Sequence, residues 1–149
     1  ALFYVACELA KKMAGDGEGC TKLLEVTVQH AATSKEAKLL SKSVITSNLV
    51  KTAIFGCDSN WGRVLCALGY SGSVFDSDVV DLYFESEYGK IQVVKDGLGT
   101  GYLEEEATRI LSAEEVAVLV DVKQGDASAT AWGCDLTYDY VKINGDYRS

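Results

Sequence analysis

Among its 149 residues the chain has no proline. Cis turns, proline kinks and polyproline segments are therefore excluded, and every turn depends on glycine, Asn, Asp or Ser. There is one histidine and no CxxC pair, so a Cys/His metal centre is poorly supplied and a Cys–His dyad has only one possible base. No apolar run approaches the roughly 18 residues of a membrane-spanning helix, and no basic-then-apolar leader opens the chain. Internal repeats and low-complexity tracts are missing as well. Positive charge is scarce: 14 Lys and Arg against 22 Asp and Glu give a formal net charge of −8. That balance argues against nucleic acid and for cationic or zwitterionic small molecules.

What is present is a globular balance, 48% hydrophobic and 24% charged, at the size of one domain with a sizeable core. The five cysteines, Cys7, Cys20, Cys57, Cys66 and Cys134, are odd in number and far apart, the pattern of reduced, intracellular thiols packed as small hydrophobes. The chain opens on "ALFYVACELA", without Met and already in helical register, and the expectation is a segment of something longer.

Residues 2–14 have helical apolar spacing and run into "GDGEG", whose glycines end a helix. "TKLLEVTVQH" alternates as a strand, with His30 continuing the face of Leu24, Val26 and Val28 as a structural residue. Thr33 and Glu36 stand at capping-box spacing before an amphipathic helix. "VKTAIF" reads as a short apolar strand, and "CDSNWGRVLCALG" as cap residues followed by a helix of about ten residues. "VVDLYFES" and "GKIQVVKDG" make a hairpin about "EYGK", "YLEEEATRILSAEE" an acid-fronted helix and "EVAVLVDVKQG" the most strand-like segment. The end reads as strand to about Gly133 and then helix. Without strict β-α-β alternation this is an α+β fold in one domain, sheet covered by helices.

Four stretches carry candidate chemistry. In "GDGEGCTK", residues 15–22, Glu18 lies between glycines that permit a sharp turn and close approach, so it faces either solvent or a ligand. "DGLGTG", residues 96–101, follows a strand like a phosphate loop. Its spacing is not GxGxxG, however, and Glu104, Glu105 and Glu106 would repel a pyrophosphate, which favours a plain glycine turn. "NWGR" puts Trp61 and Arg63 at a helix start, either lining a pocket or with Trp61 in the core and Arg63 paired to Asp58. The tail "TYDYVKINGDYRS" is dense in tyrosine, which calls for packing. A packed tail would hold Asn144, Ser149 and the terminal carboxylate in place for an ammonium, or would simply cover the sheet.

Taken in order, "DGEGCTK", "VKTAIFGCDSNWGRVLCALG", "VVKDGLGTG" and "GDASATAWGCDLTYDYVKINGDYRS" span nearly the whole chain and closely resemble the glutamate N-acetyltransferase family, also called ornithine acetyltransferase. The resemblance implies an αββα-like sandwich of mixed sheets covered by helices. It implies a precursor that cuts itself before a threonine, giving an α chain and a β chain with that threonine as nucleophile. Residues 1–149 resemble the later part of the β chain, so the nucleophile is expected upstream of Ala1 and no catalytic residue lies in this segment. Substrate contacts carry over to Glu18 in "DGEG", Asn144 in "KIN" and the terminal Ser149. Ser59, Ser77 and Asn48 stand where the family commonly has proline and Ala127 where it has glycine, departures that touch loop rigidity rather than chemistry.

The implied reaction is ping-pong acetyl transfer from N-acetylornithine to the threonine and on to glutamate, releasing ornithine, with acetyl-CoA as a possible second donor and no cofactor or metal. The implied assembly pairs the α and β chains into a heterotetramer in the cytoplasm. Two other readings stay open: a non-catalytic small-molecule binding domain, and a related N-terminal-nucleophile acyltransferase or amidase of secondary metabolism.

Overall fold

The computed structural model describes residues 2–147. Its order is α1 (Leu2–Gly15), β1 (Leu23–Ala31), α2 (Ser34–Ile45), α3 (Asn48–Phe55), α4 (Trp61–Gly69), β2 (Asp81–Ser86), β3 (Gly89–Lys95), β4 (Leu98–Gly99), α5 (Glu104–Leu111), β5 (Glu115–Asp121), β6 (Ala127–Cys134) and α6 (Tyr138–Asp146). The strands form one six-stranded sheet, β4-β3-β2-β5-β1-β6. β1 and β5 pair in parallel and the other pairs are antiparallel. The α+β reading with a helix-covered mixed sheet therefore holds. A second sheet, as an αββα sandwich would have, is not among the described residues.

Alternation along the strands assigns the two faces. Leu24, Val26 and Val28 of β1, Leu82 and Phe84 of β2 and Val116, Val118 and Val120 of β5 are all buried beneath helices, each side chain giving about 1.5–3 kcal/mol on leaving water. α2 supplies Ala37, Leu40, Val44 and Ile45 to that layer, at the 3–4-residue spacing of one helix face. The other face carries Leu23, Glu25 and Thr27 of β1, half-exposed. α1 lies over it near β6: Lys11 Nζ is 3.4 Å from Glu25 Oε2 and 5.8 Å from the Trp132 ring centre. No helix among the described residues is long and apolar enough to cross a membrane.

Most element readings hold, and the capping box appears as Thr33 accepting from Glu36 N at 3.2 Å. Residues 50–55, expected as a strand, are instead helical within α3. The start signal is Ser47, whose hydroxyl accepts from Val50 N, and the buried Val50, Ala53 and Ile54 have helical spacing. His30 does not continue the buried face. The β1–β6 register breaks between Val28 and Ala31, His30 takes φ +57, and Ala31 occupies the buried position. Its imidazole, half-exposed, meets Asp121 Oδ2 at 2.8 Å.

Candidate functional site

Glu18 stands in the turn between α1 and β1, and the chain has to bend hard to put it there. Gly19 takes φ +66, and a Cβ on it would lie 2.8 Å from Tyr140 N and 2.9 Å from Asp139 C. Only glycine lets this turn press onto the first turn of α6. Thr137 joins the two: its hydroxyl donates to Gly19 O at 2.6 Å and accepts from Tyr140 N at 3.2 Å, capping α6. Asp135, 3% exposed, anchors the far side of the turn. One of its carboxylate oxygens accepts from Thr21 N at 2.8 Å and Lys22 N at 3.1 Å, and the other from the Thr21 hydroxyl.

These anchors bring together side chains 126 positions apart: Asn144 Nδ2 donates to Glu18 Oε2 at 3.0 Å. The same amide nitrogen donates to Tyr140 O at 2.9 Å, which fixes its direction on α6. Both side chains are exposed. Glu18 Oε1 accepts no hydrogen bond among the described residues, and with the Asn144 carbonyl it presents two acceptors to a ligand, as the N–H donors of an ammonium require. Beside the turn a cleft of about 830 Å³ opens between α1 and the entering ends of β1 and β5, lined by Lys11, Asp16, Cys20, Lys22, Glu114 and Glu115 among others. Burial pushes the Cys20 thiol up, with the Cys134 thiol and the Asp135 charge adding to it.

Of the predicted site residues, Glu18 and Asn144 are thus adjacent, and Ser149 lies outside the described residues. The tail is not packed as its tyrosines suggested. Tyr138 is 83% and Tyr147 80% exposed, and α6 buries no residue; it is held by its cap, by the Glu18 turn and by one edge-on contact of the Tyr138 ring with Phe55, 5.6 Å between ring centres. "DGLGTG" is the β3–β4 turn, Asp96 and Gly97 taking φ +46 and +73, with Gly97 pressed on Ser77 O. In "NWGR", Trp61 packs on the core and Arg63 Nη1 donates to Leu49 O at 2.9 Å and Thr52 Oγ1 at 3.2 Å, tying α4 to α3. Asp58 instead accepts from Asn60 at 3.0 Å. Ser59 is 2% exposed and donates to Glu104 Oε2 at 2.8 Å. Asp135, Thr137 and Lys22 escaped the sequence reading. A Thr three residues before "YVKIN" is a cap signal, but nothing local marks Asp135 as the anchor of a turn more than a hundred positions upstream.

The fold is an α+β module, a helix-backed mixed sheet, with a carboxylate and an amide paired beside a strand entrance. Residues 1–149 match the model of the ArgJ family throughout, and the chain belongs to that family. It is 53% identical over its whole length to "Arginine biosynthesis bifunctional protein ArgJ 1" of Clostridium acetobutylicum and 52% identical to the corresponding protein of Caldanaerobacter subterraneus subsp. tengcongensis, spanning 36% and 37% of their lengths. The crystal structure of arginine biosynthesis bifunctional protein argJ from Bacillus halodurans matches 98% of the chain at 47% identity and a TM-score of 0.91, over 68% of that protein's chain.

Proposed function

We propose that this chain forms the later part of the β chain of a glutamate N-acetyltransferase in arginine biosynthesis, and that Glu18, Asn144 and Ser149 hold the ornithine end of N-acetylornithine. The observation that carries this reading is the Glu18–Asn144 pair, 3.0 Å apart, the first on a glycine turn and the second on α6. A carboxylate oxygen and an amide carbonyl are acceptors suited to an ammonium, and they supply orientation rather than covalent chemistry. The nucleophile in this reading is the N-terminal threonine of the β chain, upstream of Ala1. Its hydroxyl attacks the acetyl carbonyl, ornithine leaves as the amine, and glutamate takes the acetyl group from the threonine ester. The names of the relatives include the word bifunctional, in keeping with acetyl-CoA as a second donor. The half-open sheet face and the apolar surface of α1 suit cover by the α chain and the rest of the β chain, within a cytoplasmic heterotetramer.

The test is acetyl transfer from N-acetylornithine to glutamate by the full-length protein, comparing wild type with Glu18→Gln and Asn144→Ala. Expected is a KM for N-acetylornithine raised at least about tenfold in Glu18→Gln, equivalent to about 1.4 kcal/mol of lost binding. Unchanged kinetics in both variants would remove the pair from the site, and no transfer by the wild type would return the protein to a binding role.

A further inference from the structure

Lys22 is the one buried cation among the described residues, 8% exposed. Its Nζ donates to Ile54 O at 2.8 Å and to Leu111 O at 2.7 Å. Both are last-turn carbonyls, of α3 and α5, where helices lack internal partners and carry the negative end of their dipoles. Nζ also meets Cys57 Sγ at 3.0 Å. That sulfur reaches Leu111 O at 3.5 Å, and its residue is held at φ +53 after the end of α3. An amine nitrogen and a thiol sulfur are therefore fixed in contact, and the cysteine is only partly buried. Neither group has a part in acetyl transfer as described above.

We propose that Lys22 and Cys57 form a covalent N–O–S bridge between Nζ and Sγ when the protein meets hydrogen peroxide. One peroxide oxidises the Cys57 sulfur: an S–O bond forms, the O–O bond breaks, and water leaves a sulfenic acid. A second oxidises the Lys22 amine after its ammonium has released a proton to solvent. The nitrogen lone pair takes one oxygen, the O–O bond breaks, and water leaves a hydroxylamine. The hydroxylamine oxygen then attacks the sulfenic sulfur, whose hydroxyl departs as water with the hydroxylamine O–H proton. Two peroxides each accept two electrons, and three waters form. One inserted oxygen spans nearly the present Nζ–Sγ separation, whereas a direct N–S bond would draw Nζ away from both carbonyls. The bridge would bolt the start of β1 to α3 and α5, four residues after Glu18 and at the backbone N–H that Asp135 holds.

The test is peptide mapping by mass spectrometry of the full-length protein, purified reduced and then treated with hydrogen peroxide. Expected is a linked pair of peptides carrying Lys22 and Cys57, heavier than their sum by one oxygen less two hydrogens, released by dithiothreitol and absent in Cys57→Ser. A linked pair without the oxygen would overturn the bridge. So would Cys57 oxidised to a sulfinic acid beside an unmodified Lys22, or a Cys57 left untouched. The readout is covalent mass, so the outcome does not depend on whether acetyl transfer is the activity.

Discussion

Helix α1 is the more apolar of two helices that pack on this sheet, yet it buries nothing, while the more polar α2 buries Ala37, Leu40, Ser41, Val44 and Ile45. Leu2, Phe3 and Met13 of α1 are each 80% or more exposed. The difference lies in what faces them. α2 sets one stripe against the gapless row of Leu24, Val26 and Val28, and Ile45 closes on Gly133, where a Cβ would sit 2.8 Å from it. α1 meets the other face at Lys11, across Glu25 and Trp132. Apolar composition becomes stability only where an opposing surface removes it from water; elsewhere it remains contact surface for something else.

Substitutions on the two helices test that contrast most strongly. Leu40→Ala in α2 is expected to cost about 2–5 kcal/mol, since the fully buried site leaves a cavity. Leu9→Ala in α1 should stay within about 0.5 kcal/mol for this chain by itself. Urea unfolding of both variants at unchanged m-value is the measurement. Comparable losses would mean that α1 is packed as α2 is, and the contrast would fail.

The next largest effects lie where the Glu18 turn meets α6. Asp135→Ala leaves two backbone N–H groups without their acceptor and is expected to cost about 1–3 kcal/mol. Gly19→Ala should cost at least the roughly 1–2 kcal/mol of a left-handed residue with a Cβ, and the clash with Tyr140 N should part Glu18 from Asn144. On the proposed acetyl transfer, Gly19→Ala in the full-length protein should then raise KM for N-acetylornithine while leaving an acetyl-CoA-dependent reaction less affected. An unfolding cost with no change in KM would make the turn scaffold only.

How much of this was legible follows from how far each signal reaches. The capping box at Thr33, the hairpin about "EYGK" and the α5 acids are local chemistry, and each was readable. Residues 50–55 were misread because a six-residue apolar run fits a strand as well as a buried helix, and Ser47 outside the run decides between them. His30 was misread because a bulge shifts the period-two pattern by one, and only pairing with β6 reveals it. Glu18 and Asn144 could each be singled out. Their contact depends on Asp135 and Thr137, whose partners lie more than a hundred positions away. The Lys22–Cys57 contact was illegible for the same reason: an ammonium between two helix ends has no sequence spacing to give it away.

The smallest effect sharpens a second contrast, between the buried polar anchors at the Glu18 end of the sheet and an exposed charge cluster at the other end. There Lys123 Nζ lies 3.0 Å from Asp81 Oδ1 and 2.7 Å from Asp96 Oδ1. The hydrogen bond from Lys123, then its charge, holds the Asp96 carboxyl below its ordinary value, while the hydrogen bonds to Asp96 and Asp81 raise Lys123. A depressed carboxyl stabilises above its unfolded pKa, and that contribution is lost as pH falls through the folded value. A raised ammonium stabilises below its unfolded pKa, and loses that contribution as pH rises through the folded one. The cluster therefore acts across the neutral range and fades at both extremes. Exposed pairs are screened by salt, so Lys123→Met should lower Tm slightly near neutrality, less in high salt, and converge with wild type in acid as Asp96 protonates. Thr33→Ala, which removes a cap worth about 1 kcal/mol, should lower Tm by an amount that salt barely changes. Parallel melting curves for Lys123→Met and wild type through the acid range would show that packing of the lysine stem, rather than its charge, is what the cluster contributes.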